Sequence, residues 1–138
     1  MSRIYQTEIE VRGYELDSYG HVNHANYLNY LEFARWKMLE AENVTLDTFK
    51  KWGRWPVIAQ LEIQYLRPAF MGDRLTVETR LLDYKRSSMQ ISQAIKKGDV
   101  PITQAKIRSV IVDESGRPAP LPEEGMLQWK RFFEGVES

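Results

Sequence analysis

Five segments of the chain alternate apolar and polar residues, and this period of two limits the possible folds more than any other feature. They are residues 5–12, 59–65, 75–81, 89–95 and 102–112. Such alternation predicts strands of a sheet with one buried and one exposed face. In the second segment the predicted buried face comprises Ala59, Leu61, Ile63 and Tyr65. That segment ends at Arg67-Pro68 because proline cannot donate a ladder hydrogen bond.

One long helix is predicted between the first two strands, over residues 23–42, and a short helix over 46–52 follows it. A further helix is expected from Pro122. The apolar residues that share one arc of the long helix at 100° per residue are Tyr30, Leu31, Ala34 and Met38. Four consecutive strands after this helix favour hairpin neighbours over parallel crossovers. We therefore predict a single α+β domain, residues 1–138, in which a five-stranded antiparallel sheet wraps around one central helix.

Composition excludes several classes of function. Nineteen basic and nineteen acidic residues cancel, so bulk charge predicts no nucleic-acid partner. The absence of cysteine excludes disulfides, thiolate nucleophiles and cysteine-ligated zinc. No apolar stretch reaches the length of about 18 residues that a membrane span needs, and the first residues lack a signal-peptide core. A soluble cytoplasmic protein is the expectation.

The segment ELDSYGHVNHANYLNYLEFARWKMLE, residues 15–40, places polar groups directly before the apolar helix. Asp17 precedes Gly20, a natural left-handed turn, so its carboxylate can lie near the free N–H groups of the helix start. Asp17 can equally serve only to order this turn, and Asn23 fits a helix N-cap. His21 and His24 are the two histidines of the chain, and zinc needs more ligands than they supply, so no metal site is predicted.

The stretch RGYELDSYGHVNHANYLNYLEFAR closely resembles the signature of the hotdog-fold acyl-CoA thioesterases of the 4-hydroxybenzoyl-CoA thioesterase type. In that family an acidic residue, a glycine and often HVN lead into an aromatic-rich helix. The later stretch YLRPAFMGDRLTVETRL is similar to the family's pattern of a strand, a proline and a Gly-Asp turn. The resemblance, which spans about Tyr5 to Val112, implies the hotdog fold and hydrolysis of acyl-CoA. It also implies a homo-oligomer, dimer or tetramer, and no cofactor, since CoA is part of the substrate.

The resemblance assigns roles to residues around the start of the helix. It places the catalytic carboxylate at Asp17, as nucleophile or as general base. The backbone N–H of His24 then polarises the thioester carbonyl, with Gly20 and Asn23 forming the turn and the cap of the same motif. His21 is expected to contact the substrate.

Substrate binding is expected from two further groups of residues. Candidates for the wall of an acyl channel are Tyr27, Tyr30, Leu31 and Phe33, with core packing as the alternative role of each. Candidates for contacts to the CoA phosphates are Lys85, Arg86, Ser87 and Ser88, then Arg67 and Arg54. The alternative for residues 85–88 is a solvated hairpin tip.

The preferred substrate is predicted to be a medium to long fatty acyl-CoA, with aromatic acyl-CoA second. Ala25 and Ala34 leave room beside the helix, and Trp36, Met38 and Trp52 can close that space. Glu32 can pair with Arg35 at i+3 or present a second carboxylate to the site. The alternatives are a hotdog dehydratase or hydratase, and a non-hydrolytic acyl-CoA binding module.

Overall fold

The computed structural model describes residues 3–133, in which five strands and three helices are formed. In chain order these are β1 (Tyr5–Glu10), α1 (His24–Ala41), α2 (Leu46–Trp52), β2 (Trp55–Tyr65), β3 (Arg74–Tyr84), β4 (Ser88–Lys97), β5 (Val100–Val112) and α3 (Glu123–Lys130). A 3-10 turn at Gly13–Glu15 precedes α1. Residues 1–2 and 134–138 of the predicted domain lie outside the described part.

The sheet has the strand order β1-β3-β4-β5-β2, and every neighbouring pair is antiparallel. Consecutive hairpins join β3, β4 and β5, as the short turns between them predict. The long helix α1 connects β1 at one edge of the sheet to β2 at the other, so it crosses the concave face. The predicted α+β fold with an antiparallel sheet around one long helix is confirmed.

The long helix contributes to two hydrophobic clusters, one for each half of its length. Tyr27, Tyr30, Leu31 and Ala34 pack with residues of β1, β3 and the start of β5. Met38 and Leu39 instead pack with a second cluster. That cluster includes Phe49 and Trp52 of α2, Ile107 and Ile111 of β5, and Trp129 of α3. The apolar faces of α2 and α3 therefore cover the second half of α1.

A β-bulge interrupts β2 and changes the face predicted for its first half. Ile58 pairs with Ser109 and Gln60 pairs with Arg108, so Ala59 is the extra residue. Leu61 pairs with buried Ile107 and faces the core. On the other side of the bulge the residue that faces the core is Ile58, opposite buried Ser109, and not Ala59. The prediction that Ala59 shares the face of Leu61 was wrong, because one inserted residue reverses the alternation.

Strand β2 forms an edge of the sheet with large apolar side chains exposed. It pairs with β5 on one side, and no described strand pairs with its other side. Val57, Ile58 and Tyr65 remain 43%, 46% and 45% exposed. A long, unprotected edge is unusual in a natural protein because it can pair with another chain.

In residues 3–133 no helix has the length and apolar character that crossing a membrane requires.

Candidate active site

The loop before α1 is closed by hydrogen bonds to Asp17. The Oδ1 atom of its carboxylate accepts from the backbone N–H of Tyr19 at 2.9 Å and of His21 at 3.1 Å. Gly20, with φ of 81°, makes the left-handed turn that allows this geometry. Within residues 3–133 no hydrogen bond or ion pair uses the other oxygen, Oδ2. The carboxylate therefore orders the turn through one oxygen and keeps the other oxygen free as an acceptor. The turn-ordering role predicted for Asp17 is thus compatible with a catalytic role.

Glu15 anchors the same loop from inside the protein, and sequence reasoning missed it. The carboxylate of Glu15 is only 5% exposed and accepts from Tyr30 Oη at 2.7 Å and from Arg12 Nε at 3.0 Å. Burial by itself raises the pKa of Glu15, but the hydrogen bonds from Arg12 and Tyr30 outweigh it and hold that pKa below its ordinary value. The Glu15 carbonyl oxygen also accepts from Asn23 N at 2.8 Å. Its spacing of three from Arg12 was the available signal.

The start of α1 has the cap that the sequence predicts. The side chain of Asn23 accepts from the backbone N–H of Ala25 at 2.9 Å, which confirms the N-cap role. None of the hydrogen bonds described for residues 3–133 uses the backbone N–H of His24. This unpaired donor lies where the positive end of the helix dipole is strongest.

A shallow pocket of about 270 Å³ joins these two features. Its lining residues are Asp17, His21, Val22, His24, Tyr27, Tyr65, Leu66, Arg67 and Pro68. The structure thus brings together five residues that the sequence nominated, from the loop, from α1 and from the turn after β2. A carboxylate oxygen and a helix N-terminal N–H at one pocket are the groups needed to attack a carbonyl and to stabilise the resulting oxyanion.

Two tyrosines fix the geometry of this pocket. Tyr65 Oη donates to the His24 carbonyl oxygen at 3.1 Å, which ties the end of β2 to the first turn of α1. Tyr27 Oη accepts from the backbone N–H of Ala69 at 3.1 Å, and burial raises the pKa of its phenol. The two rings are 5.5 Å apart. Tyr65, predicted only as a strand residue, is therefore a wall of the site, because the register of β2 determines where it lies.

Several other nominated residues lie elsewhere. Tyr30 and Leu31 are 2% and 0% exposed in the core and border none of the described cavities. Phe33 is 46% exposed, with the Lys37 ammonium 5.4 Å from its ring centroid. Arg54 donates to the Pro120 carbonyl oxygen at 2.8 Å and holds the C-terminal segment. The sequence shows that these residues are apolar or cationic, but its periodicity does not determine which part of the structure each side chain contacts.

The loop 85–88 lies at the opposite end of the sheet from Asp17 in the same chain. Ser88 pairs with Val110 of β5, whereas Tyr65 at the pocket pairs with Thr103. Seven residues of strand separate these positions, which is about 23 Å at the usual rise. Lys85 and Arg86 are exposed there. Within one chain they do not reach the Asp17 pocket, so the predicted phosphate contact requires a second chain.

A second cavity, of about 180 Å³, lies beside the second half of α1 and is here called the distal cavity. Its lining residues are Glu32, Arg35, Trp36, Met38, Leu39, Pro56, Ile58, Met89, Ile91, Ser109 and Trp129. Trp36 and Met38, predicted to close an acyl channel, both border it. Trp52, predicted with them, lines a different surface hollow next to α3.

Arg35 of α1 is bound differently from the prediction. No ion pair described for residues 3–133 includes Glu32, so the predicted ion pair between Glu32 and Arg35 is not formed. Arg35 Nη1 instead donates to Gln93 Oε1 at 3.0 Å. Gln93 is fully buried and donates in turn to the Leu31 carbonyl oxygen and to Thr79 Oγ1, both at 2.9 Å. Arg35 therefore bonds to Gln93 on β4 and not to the exposed Glu32 on its own helix.

Comparison with known proteins agrees with this architecture. The profile of the Thioesterase-like superfamily matches residues 11–129. The long-chain acyl-CoA thioesterase FadM of Escherichia coli (strain K12) is 38% identical over 91% of this chain and 95% of its own length. The chloroplastic acyl-acyl carrier protein thioesterase ATL3 of Arabidopsis thaliana is 32% identical over 96% of this chain and 71% of its own length.

Solved structures show the same fold. A thioesterase complexed with coenzyme A and Zn from Thermus thermophilus superposes with a TM-score of 0.78 at 30% identity, covering 92% of each chain. In the described part of this chain no three His, Asp or Glu side chains are grouped as a metal site requires. The family resemblance drawn from the loop motif is confirmed by the profile, the relatives and the fold together. The chain belongs to the thioesterase-like superfamily and is a thioesterase of the hotdog fold.

Proposed function

We propose that the protein hydrolyses acyl-CoA thioesters at the Asp17 pocket. The observation that carries the proposal is that one pocket is lined by Asp17 and His24, whose Oδ2 atom and backbone N–H have no described partner in residues 3–133. His24 is exposed and Asp17 is half-buried, so both groups are open to a substrate that takes the place of water. A thioester with its carbonyl oxygen on the helix N-terminus supplies one partner and exposes its carbonyl carbon to the other.

The reaction follows from this placement. The His24 N–H and the dipole of α1 stabilise the negative charge that develops on the carbonyl oxygen. Asp17 either adds to the carbonyl carbon, giving a mixed anhydride that water then hydrolyses, or takes a proton from the attacking water. In both routes the C–S bond breaks, CoA leaves as the thiolate and is protonated, and the free acid is released. Asp17 is the catalytic residue in either route.

The acyl group is assigned to a groove between α1 and β2. Tyr65 at the end of β2 bonds to His24 at the Asp17 pocket, and Ile58 of β2 and Trp36 of α1 both line the distal cavity. Leu61 and Ile63 form the floor of the groove between these ends, since both face the core clusters. A groove of this length suits a medium to long fatty acyl chain, with an aromatic acyl group second.

A substrate series tests this assignment. We expect kcat/KM to rise from acetyl-CoA toward palmitoyl-CoA, since each buried methylene contributes about 0.8 kcal/mol until the groove is full. Thiol release is the readout, with benzoyl-CoA and the matching acyl carrier protein thioesters as further substrates. A maximum at acetyl-CoA or benzoyl-CoA would contradict the groove. Tight acyl-CoA binding without thiol release would contradict hydrolysis itself.

The open edge of β2 supports a homo-oligomer in which two copies share each site. Antiparallel pairing of β2 with its counterpart places the Trp55 end of the second copy beside the Tyr65 end of the first. Loop 85–88 lies at that Trp55 end of the sheet, since the Ser87 carbonyl oxygen accepts from Ile111 N at 2.7 Å and Trp55 pairs with Val112. The second copy's Lys85 and Arg86 are thereby directed toward the CoA phosphates of the first copy's site.

Mixed oligomers test the sharing of the site. We expect co-expression of Asp17→Asn chains with Lys85→Ala/Arg86→Ala chains to give more activity, at low acyl-CoA, than either variant alone. Mixed pairs contain one site with both native parts. Activity no higher than the average of the two variants, or a monomer at micromolar concentration in light scattering, would contradict the shared site.

A further inference from the structure

The distal cavity combines an apolar lining with an arginine that has N–H groups to spare. Most of its wall is hydrocarbon, from residues such as Met38, Ile58, Met89 and Ile91. Arg35 also borders it, and its guanidinium carries N–H donors. A cavity that served only an alkyl chain would not need this donor, so the lining suggests a ligand with a polar atom.

Arg35 is held in place but left with spare donors. Its single described hydrogen bond goes to Gln93 Oε1 at 3.0 Å, although a guanidinium carries five N–H groups. Burial lowers the pKa of Arg35, and the charge of Glu32 only partly offsets this effect. Because Gln93 is itself fixed by Leu31 and Thr79, the guanidinium is oriented by the core before any ligand arrives.

Trp129 of α3 closes the wall of the cavity. It is 2% exposed, and its indole Nε1 has no acceptor in residues 3–133, but that atom is itself buried and does not face the cavity. Arg35 is therefore the donor that the wall offers to a ligand. Ser109, also on the wall, already donates to the Val57 carbonyl oxygen at 3.2 Å and cannot serve with the same proton.

We propose that the distal cavity binds acyl chains that carry an oxygen atom at the end far from the thioester, and that Arg35 is the specificity-determining donor. The inference rests on the proposed acyl-thioester hydrolysis and names the substrate class within it. The favoured oxygen function is a terminal hydroxyl, since a hydroxyl accepts from Arg35 while donating to Glu32, the carboxylate on the same wall. A terminal carboxylate can only accept and would face Glu32 as a like charge.

The position of the oxygen follows from the length of the groove. Arg35 lies eleven residues after His24 on α1, which is about 16 Å at 1.5 Å per residue. An extended chain advances roughly 1.1 to 1.2 Å per bond, as in the polypeptide backbone, so about 13 or 14 bonds cover that distance. The matching substrates are acyl chains of about 12 to 16 carbons oxidised at their last carbon.

The test compares matched pairs of substrates. For C12, C14 and C16 chains, kcat/KM is measured for the plain acyl-CoA, for its ω-hydroxy form and for the ω-carboxy form. At the best-fitting length we expect the ω-hydroxy form to be preferred over the plain form about ten-fold, the effect of a hydrogen bond to a charged donor. A preference for the ω-carboxy form would keep Arg35 as the determinant and overturn the choice of a hydroxyl. Equal rates for all three forms at every length would overturn the proposal.

Variants locate the effect. In Arg35→Met the ratio of ω-hydroxy to plain substrate should fall to about one. Arg108→Met makes the same substitution on the exposed outer face of β5 and should leave the ratio at its native value. An unchanged ratio in Arg35→Met would contradict the assignment of the donor.

A binding measurement separates this inference from the proposed hydrolysis. Trp36 and Trp129 border the cavity, so tryptophan fluorescence reports binding of free 12-hydroxydodecanoate and dodecanoate without any turnover. If no acyl-CoA is hydrolysed, hydrolysis fails as a function, yet tighter binding of the hydroxy acid that is lost in Arg35→Met still supports the cavity assignment. Equal binding of the two acids would overturn that assignment whatever the result for hydrolysis.

Discussion

The Asp17 pocket and the distal cavity are built in opposite ways. At the Asp17 pocket the carboxylate and the helix N–H come from residues 15–24, and short-range hydrogen bonds, such as those that Asp17 Oδ1 accepts from Tyr19 N and His21 N, order this segment. The distal cavity draws its wall from α1, β2, β4, β5 and α3. The first is a local motif and the second is a product of tertiary packing.

The polarity of the two sites is also reversed. The Asp17 pocket offers an acceptor with a free oxygen beside one free N–H, which suits attack on a carbonyl. The distal cavity offers the N–H donors of Arg35 beside hydrocarbon. Attack on a carbonyl needs precisely placed charged and polar groups, which a short loop at the start of a helix can provide. Discrimination between acyl chains of different length needs a cavity of defined shape, which is built from elements far apart in the sequence.

Asp17→Asn tests the catalytic end and has the largest expected effect. The amide oxygen can still accept from Tyr19 and His21, so we expect the fold and acyl-CoA binding to persist. Turnover should fall by about a hundredfold or more, because a neutral amide neither attacks nor takes a proton at neutral pH. Asp99→Asn, on the exposed β4–β5 turn, is the matched control. Native-like turnover in Asp17→Asn would remove Asp17 from the mechanism.

Glu15→Gln tests whether the loop depends on its buried anchor. We expect a loss of about 2 kcal/mol in the free energy of unfolding at pH 7, since the charged acceptor of Arg12 and Tyr30 is removed. The folded-state pKa of Glu15 is depressed, so its contribution is full above its ordinary pKa of about 4.3 and is lost as the pH falls through the folded value.

Urea denaturation of both proteins between pH 7 and pH 3 checks this pH dependence. The difference between native protein and Glu15→Gln should shrink on the acid side, whereas exposed Glu8→Gln should differ little from native protein throughout. A difference that stays constant with pH would mean that Glu15 acts through packing and not through its charge.

Ile58→Trp tests the distal end by filling it. The larger ring should exclude about two methylene groups of the substrate, each worth about 0.8 kcal/mol, so kcat/KM for palmitoyl-CoA should fall about ten-fold relative to octanoyl-CoA. Val57→Trp, the neighbouring position on the other face of β2, serves as the control. The groove assignment fails if both variants keep the native ratio of the two substrates.

Asn23→Ala has the smallest expected effect and tests how much the N-cap of α1 contributes to stability. Loss of the bond between Asn23 Oδ1 and Ala25 N should cost about 1 kcal/mol of stability, the usual value of an N-cap. Asn29→Ala, on the exposed face of the same helix, should be close to neutral. Thermal unfolding of the two variants measures the difference, and equal melting temperatures would show that the cap contributes nothing.

Much of the fold was predictable because short-range patterns encode it. The helix predicted over residues 46–52 is observed at the same residues, and the long helix at His24–Ala41 differs by one residue at each end. Strands were found at all five predicted segments but are mostly longer, since the ladder extends into residues without clear alternation. The cap at Asn23 and the turn at Gly20 were also predictable, because each uses hydrogen bonds that span only a few residues.

The sequence by itself therefore determined the elements, the family and the local geometry around Asp17, all of which rest on contacts between near neighbours. Only the tertiary structure decided that Arg35 binds Gln93 and not Glu32, that Ala59 is a bulge, and that Tyr65 reaches His24. Each of these depends on how strands far apart in the chain are aligned. A shift of one residue in that alignment turns every side chain of a strand to the other face, so no local pattern can encode it.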